Sequence, residues 1–183
     1  MRARRQHPRT GAQGATTLAC VGLGSNLGHP RRRIAAALRD LARLPRTRIL
    51  AVSPNYATAP LGTAAPQPDY VNAVALLGTR LRARDLLARL QAIERRHGRR
   101  RSAVERNAPR TLDLDLLLFG RLRMATRALE LPHPRMHERA FVLRPLADLA
   151  PAARIPGRGV ARLLRRRVRG QRAVRTRSHP RPP

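Results

Sequence analysis

Two carboxylates, Asp113 and Asp115, stand inside the apolar run Leu112-Asp-Leu-Asp-Leu-Leu-Leu-Phe119. On an extended strand, side chains two apart share a face, so both acids meet one environment while Leu112, Leu114 and Leu116 face the other way. Like charges held that close repel, and a buried carboxylate is costly without a cation beside it. A divalent metal is the natural compensation. Oxygen ligands on a rigid strand suit Mg²⁺, which takes one or two carboxylates together with water and substrate phosphates. The competing reading is a half-buried strand edge with two solvated acids, and an isolated D-x-D does not choose between them.

Composition narrows the chemistry. The chain has 183 residues and 39 basic side chains, every one an arginine. Without lysine there is no P-loop, no protein-kinase strand lysine and no Schiff-base catalysis. Any phosphate must be met by arginine, metal and backbone amides. The net charge of +29 suggests nucleic acid at first sight. All ten acids lie between Asp40 and Asp148, however, while acid-free Met1–Thr10 and Arg154–Pro183 hold 4 and 11 of the arginines. Exclusive arginine alongside abundant Ala, Gly and Pro reads as a compositional bias of the source rather than a binding code. With two Tyr, two Phe and no Trp, a base-stacking surface is poorly supplied. Two rivals to a metal-dependent transferase stay open. One is an arginine-driven nucleic-acid module, whose binding would weaken steeply with salt and survive neutralisation of the aspartates. The other is a metal-dependent phosphohydrolase built on the same D-x-D.

The elements that position these residues follow from periodicity and breakers. This length suits one domain with a real core. Residues 1–16 read as a disordered basic extension, 17–156 as the domain, and 157–183 as an Arg/Pro-rich tail with a short helix over Val160–Val168 and no regular structure beyond it. Removal of Met1–Ala15 and of the tail beyond Arg169 is expected to leave activity unchanged. Thr17–Leu23 reads as a first strand ending in the turn Gly24-Ser-Asn-Leu-Gly28, and Pro30–Leu44 as an amphipathic helix. A strand over Arg48–Tyr56, a breaker-rich loop over Ala57–Asp69, a strand over Tyr70–Leu77 and a helix over Arg84–His97 capped by Gly98 follow. The loop Arg99–Pro109 then leads into the Asp113/Asp115 strand, and a helix covers Ala140–Leu149. Cys20 reads as a buried structural thiol in a reducing cytoplasm, with Tyr56 and Phe119 in the core. No apolar run reaches membrane-spanning length, and Gly11–Leu23 is too polar for a signal-peptide core. His133 and His137 have zinc-like spacing, but Pro134 disfavours the regular helix that would align them, so structural zinc is not expected.

Several motifs occur in one order: Gly22-Leu-Gly-Ser-Asn-Leu27, Ala59-Pro-Leu-Gly62, Gln67-Pro-Asp-Tyr-Val-Asn72, Ile93-Glu94, Gly98-Arg99, Pro109-Arg-Thr-Leu-Asp-Leu-Asp115, Pro132-His133 and Arg139-Ala-Phe141. Together they span Leu18 to Pro156, and in this order the chain resembles the 6-hydroxymethyl-7,8-dihydropterin pyrophosphokinase family of folate biosynthesis. The resemblance implies a ferredoxin-like α+β fold, with helices on one face of an antiparallel sheet and mobile loops over the substrates. It implies transfer of pyrophosphate from ATP to the pterin hydroxymethyl group, with AMP released, by a cytoplasmic monomer with no membrane or specific nucleic-acid partner. Asp113 and Asp115 match ligands for two Mg²⁺ ions. Thr58, Pro60, Leu61, Tyr70, Asn72 and Phe141 match the pterin pocket, where aromatic rings sandwich a flat heterocycle and an amide meets its polar edge. Gln91, Glu94, Arg99, Arg110, His133 and Arg139 match nucleotide and phosphate contacts. Arg99, Arg101 and Arg110 match the family's catalytic arginines, Arg101 at the position of an arginine on the closing loop. Three positions depart from the pattern: Asn107 stands where some members place a loop tryptophan, the Arg99–Pro109 loop is one residue longer than in some members, and Pro134 replaces a tyrosine of some relatives.

Overall fold

A computed structural model describes residues 15–62, 66–99 and 108–176. Its frame runs β1 (Thr17–Ser25), α1 (Pro30–Ala42), β2 (Thr47–Val52), β3 (Tyr56–Thr58), β4 (Tyr70–Thr79), α2 (Ala83–Arg96) and β5 (Asp113–Phe119). The pairs β1·β4, β1·β5, β2·β4 and β3·β4 are all antiparallel. With β4 and β1 central and β5 at one edge, this is the ferredoxin-like α+β arrangement. The single strand expected over Arg48–Tyr56 is two strands. Pro54 has no amide to donate, and the chain bends at Ser53, whose N–H donates to Val74 O at 2.9 Å. Beyond the bend β3 takes Ala57 and Thr58 out of the expected loop and lays them against the start of β4.

Alternation divides the sheet into two cores. Ala19, Val21 and Leu23 of β1 and Leu114 and Leu116 of β5, with the adjoining Leu112, pack against Ile34, Leu38 and Leu41 of α1 and Leu86, Leu90 and Ile93 of α2. Helix α2 has Asp85 in its first turn and arginines in its last, which suits its dipole, and ends where Gly98 takes φ +79°. On the opposite face Cys20, Val74, Leu117 and Leu118 meet α3 (Ala140–Leu149) and α4 (Ala161–Leu164). A register shift opposite Cys20 and Val21 lets two consecutive leucines, 117 and 118, join that second core. Helices therefore cover both faces, not the one face implied by the resemblance. The second face is covered only in part, and its uncovered end holds the acids.

Two short hairpins and an added edge strand complete the domain. Strands β6 (Met124–Ala125) and β7 (Glu130–Leu131) pair beyond β5, and β8 (Arg154–Ile155) pairs with β9 (Gly159–Val160). Chain beyond Val168 was expected to be irregular. Instead β10 (Ala173–Arg175) pairs with β3 and extends the main sheet. Its low apolar content hid it, because only Ala173 faces the core while Val174 is 54% exposed. Tyr56 is buried and its hydroxyl donates to Asp148. Cys20 is buried, and burial lifts its thiol to about 11. Among the described residues no helix is long and apolar enough to cross a membrane.

Candidate active site

The floor of the site is made by two glycines of β1. Gly24 lies opposite Asn72 of β4 on one side and Asp113 of β5 on the other, and Gly22 lies opposite Val74 and Asp115. A Cβ on Gly24 would come within 2.9 Å of Asn72 Oδ1, so no larger residue leaves this floor clear. Above it opens a cavity of about 510 Å³. Thr58, Pro60, Leu61, Tyr70, Asn72, Phe141, Arg99, Arg110, Asp113, Asp115, His133 and Arg139 all line it. Twelve of the positions singled out from sequence thus converge from β3, β4, β5, the start of α3 and the loops beside them.

One wall suits a flat polar ring. Asn72 is 6% exposed and its Nδ2 donates to Thr58 Oγ1 at 2.7 Å. Its amide is thereby held rigid. The Tyr70 hydroxyl donates to Ala108 O at 3.3 Å. The Arg139 guanidinium stands 5.3 Å from the centre of the Phe141 ring, a cation–π contact. The opposite wall is ionic. Asp113 pairs with Arg99 at 2.5 Å and with Arg110. Asp115 has no ion pair among the described residues, and its carboxyl is pushed up to about 6, by burial first and then by the charge of Asp113. Arg139 is held below its ordinary value by burial and by neighbouring Arg135.

Glu94 and Gln91 sit apart from that lining. Glu94, on α2, is 1% exposed, pairs with Arg99 and accepts the Leu114 N–H at 2.7 Å. Burial raises its carboxyl to about 7. Its position is behind β5, where it anchors the strand that carries the acids. Half-buried Gln91 lies one turn earlier on the same helix. Arg101 and Asn107 lie outside the described residues. Gly24, Arg135 and Glu138 also line the cavity without having been singled out. Gly24 was assigned to a turn, yet it belongs to β1; a glycine within an apolar strand is the signal of close approach that marks it. Arg135 and Glu138 carry no such signal.

His133 is pushed down to about 4, by burial and then by Arg139 and Arg135. Its Nδ1 is buried with no hydrogen-bond partner among the described residues. The folded protein therefore resists protonating it while the unfolded chain does not. Relative to His133→Gln, wild-type stability is expected to decline as pH falls from about 6.5 towards about 4 and to level off below. Paired urea titrations at stepped pH read that difference; a flat difference excludes a neutral buried His133.

The donor set suits one kind of cation. Among the described residues no three His, Cys, Asp or Glu side chains gather as a metal cage. What exists is two carboxylates on one strand face, one lacking a counter-ion, beside an open cavity. That fits Mg²⁺, which completes its shell with water and phosphate, better than a cation needing an all-protein cage.

A ferredoxin-like sheet whose uncovered end presents paired acids, converging arginines and a rigid amide has the fold class and the charged cavity of an α+β enzyme of phosphate chemistry. Residues 20–151 match the family described as 7,8-dihydro-6-hydroxymethylpterin-pyrophosphokinase (HPPK), and the chain belongs to that family. It is 55% identical over 145 residues to the 2-amino-4-hydroxy-6-hydroxymethyldihydropteridine pyrophosphokinase of Pseudomonas aeruginosa, covering 79% of this chain and 88% of that one. The Haemophilus influenzae enzyme of the same name is 44% identical over 132 residues, 72% and 81% of the two chains. A crystal structure of wild-type Plasmodium falciparum HPPK-DHPS with STZ-DHP shares the fold at a TM-score of 0.62 and 14% identity. That match covers 83% of this chain but 41% of the Plasmodium chain, so this chain spans less than half of the larger protein. The family's reaction is pyrophosphoryl transfer to hydroxymethyldihydropterin in folate biosynthesis.

Proposed function

We propose that the chain moves the β,γ-pyrophosphoryl unit of ATP onto the hydroxymethyl oxygen of 6-hydroxymethyl-7,8-dihydropterin, releasing AMP and the pterin diphosphate, with Asp113 and Asp115 as ligands for two Mg²⁺ ions. The observation that carries this reading is the division of one cavity into a rigid polar-aromatic wall and an acid-arginine wall. When bound, Mg²⁺ would supply charge neutralisation on the phosphate oxygens and lower the pKa of a coordinated hydroxyl. Asn72 and Thr58 meet the edge of the pterin, and Tyr70 and Phe141 bracket its faces, aided by Pro60 and Leu61. Arg99, Arg110, Arg139 and neutral His133 meet the triphosphate, the arginines stabilising charge that grows as the β-phosphorus is attacked. Gln91 and Glu94 act from α2, on the nucleotide side, and Arg101 adds a further positive charge for the triphosphate. The proposed enzyme is a cytoplasmic monomer, in a compartment where the buried free Cys20 stays reduced.

Chromatographic quantification of AMP from ATP tests the reading. AMP release is expected only when hydroxymethyl-dihydropterin and Mg²⁺ are both present, and excess EDTA is expected to abolish it. Release of inorganic phosphate without the pterin would point instead to a phosphohydrolase, and salt-sensitive nucleic-acid binding without turnover to the arginine-driven module.

A further inference from the structure

Ser25, the last residue of β1, and Asn26 just beyond it do more than end a strand. The β1–β5 ladder closes at Gly24 opposite Asp113, yet contact continues. Ser25 Oγ donates to Thr111 O at 2.6 Å, and the Asn26 N–H donates to Arg110 O at 3.1 Å. Asn26 is 3% exposed, and its side chain turns in two directions. Its Oδ1 accepts the Arg110 backbone N–H at 2.7 Å. Its Nδ2 donates to Gln67 Oε1 at 3.2 Å and to Pro68 O at 3.3 Å.

Those partners lead into opposite walls of the cavity. Gln67 and Pro68 lead directly into Tyr70 and Asn72, and Arg110 leads into Asp113 and Asp115. The Tyr70 hydroxyl also reaches Gln67 Oε1, at 3.4 Å. One buried amide therefore holds the start of β4 and the start of β5 against each other. No other side chain of similar size supplies this: aspartate keeps the acceptor but turns a carboxylate towards two carbonyl oxygens, and alanine or leucine supplies nothing.

We infer that Asn26 is a positioning residue that fixes the separation of the heterocycle wall from the phosphate wall, and so the alignment of the attacking hydroxyl with the β-phosphorus. This rests on the pyrophosphokinase reading above. Each substrate alone binds to one wall and is indifferent to the separation. The chemical step spans both walls and is sensitive to a displacement of a fraction of an ångström.

Asn26→Asp keeps the bond to Arg110 and loses those to Gln67 and Pro68. It is expected to lower the single-turnover rate by about 10²-fold while changing the Kd of pterin alone, and of a non-hydrolysable ATP analogue alone, by less than about threefold. Gln67→Ala removes one of the two bonds on the β4 side and leaves that to Pro68 O, and is expected to show the same split more weakly, a rate loss of about tenfold with single-substrate affinities retained. A rate within about threefold of wild type in either folded variant overturns the inference, as does a loss of single-substrate affinity as large as the loss of rate. Should Asn26→Asp fail to fold, Gln67→Ala decides alone. Wild-type turnover, measured alongside, reports on the reaction itself, so an inactive wild type and an indifferent Asn26 give different results.

Discussion

Asp115→Asn is expected to lower kcat by roughly 10³-fold, the scale associated with loss of a principal charge-stabilising group at a phosphoryl-transfer centre. The fold should survive, with Tm unchanged or raised. Asp115 makes no ion pair among the described residues, and burial and Asp113 together push its carboxyl up to about 6. Neutralising it therefore removes the cost of a buried charge and the repulsion from Asp113, which outweigh the lost attraction of Arg139, Arg99 and Arg110. Asp113→Asn differs in kind. It strips Arg99 and Arg110 of a shared partner, so activity and stability should fall together. AMP production and thermal melts on the two variants separate these effects. Near-normal turnover in Asp115→Asn sinks the metal-ligand assignment, and equal loss of Tm in both variants sinks the electrostatic account of Asp115.

The legible parts of this site were those where residue type clashed with its surroundings. Acids within a leucine run singled out the Asp113/Asp115 strand before any fold was known, because burial of charge demands an explanation. The helices were legible from their apolar stripes, and Ala140–Leu149 has the limits that periodicity assigned. Less legible were features set by long-range pairing. Nothing local to Gly24 shows that it lies between Asn72 and Asp113, because that fact belongs to the register of three strands. Asn26 has the same history: near a turn, an asparagine reads as a cap, and its four bonds reach residues more than 40 positions away. Glu94 read as a nucleotide contact from its motif alone, and its bonds to the Leu114 amide and Arg99 belong to helix-strand packing that no local signal carries.

The C-terminal segment makes the same point with a measurable consequence, and reverses an expectation drawn from its composition. Deleting residues 170–183 is expected to lower Tm by about 6–12 °C, corresponding to about 3 kcal/mol in a protein of this size. The deletion removes β10 from the sheet edge and exposes the surface that buried Ala173 covered. Arg144 loses the carbonyls of Ala173, at 2.6 Å, and of Gln171, at 3.2 Å. Gln171 matters most for function. Its Oε1 accepts the Ala140 N–H at 2.8 Å and its Nε2 donates to Glu138 O at 2.7 Å. It thereby satisfies an amide at the start of α3 that no intrahelical carbonyl reaches. Arg139 and Phe141 flank that amide and both line the cavity. Losing the anchor should let their positions drift, raising the KM for the pterin at temperatures where the truncated protein is still folded. Gln171→Ala in the full-length chain isolates this second effect: a raised KM with a small change in Tm is expected, since one or two hydrogen bonds contribute about 1–2 kcal/mol. Unchanged KM in that variant would confine β10 and its neighbours to a purely stabilising role.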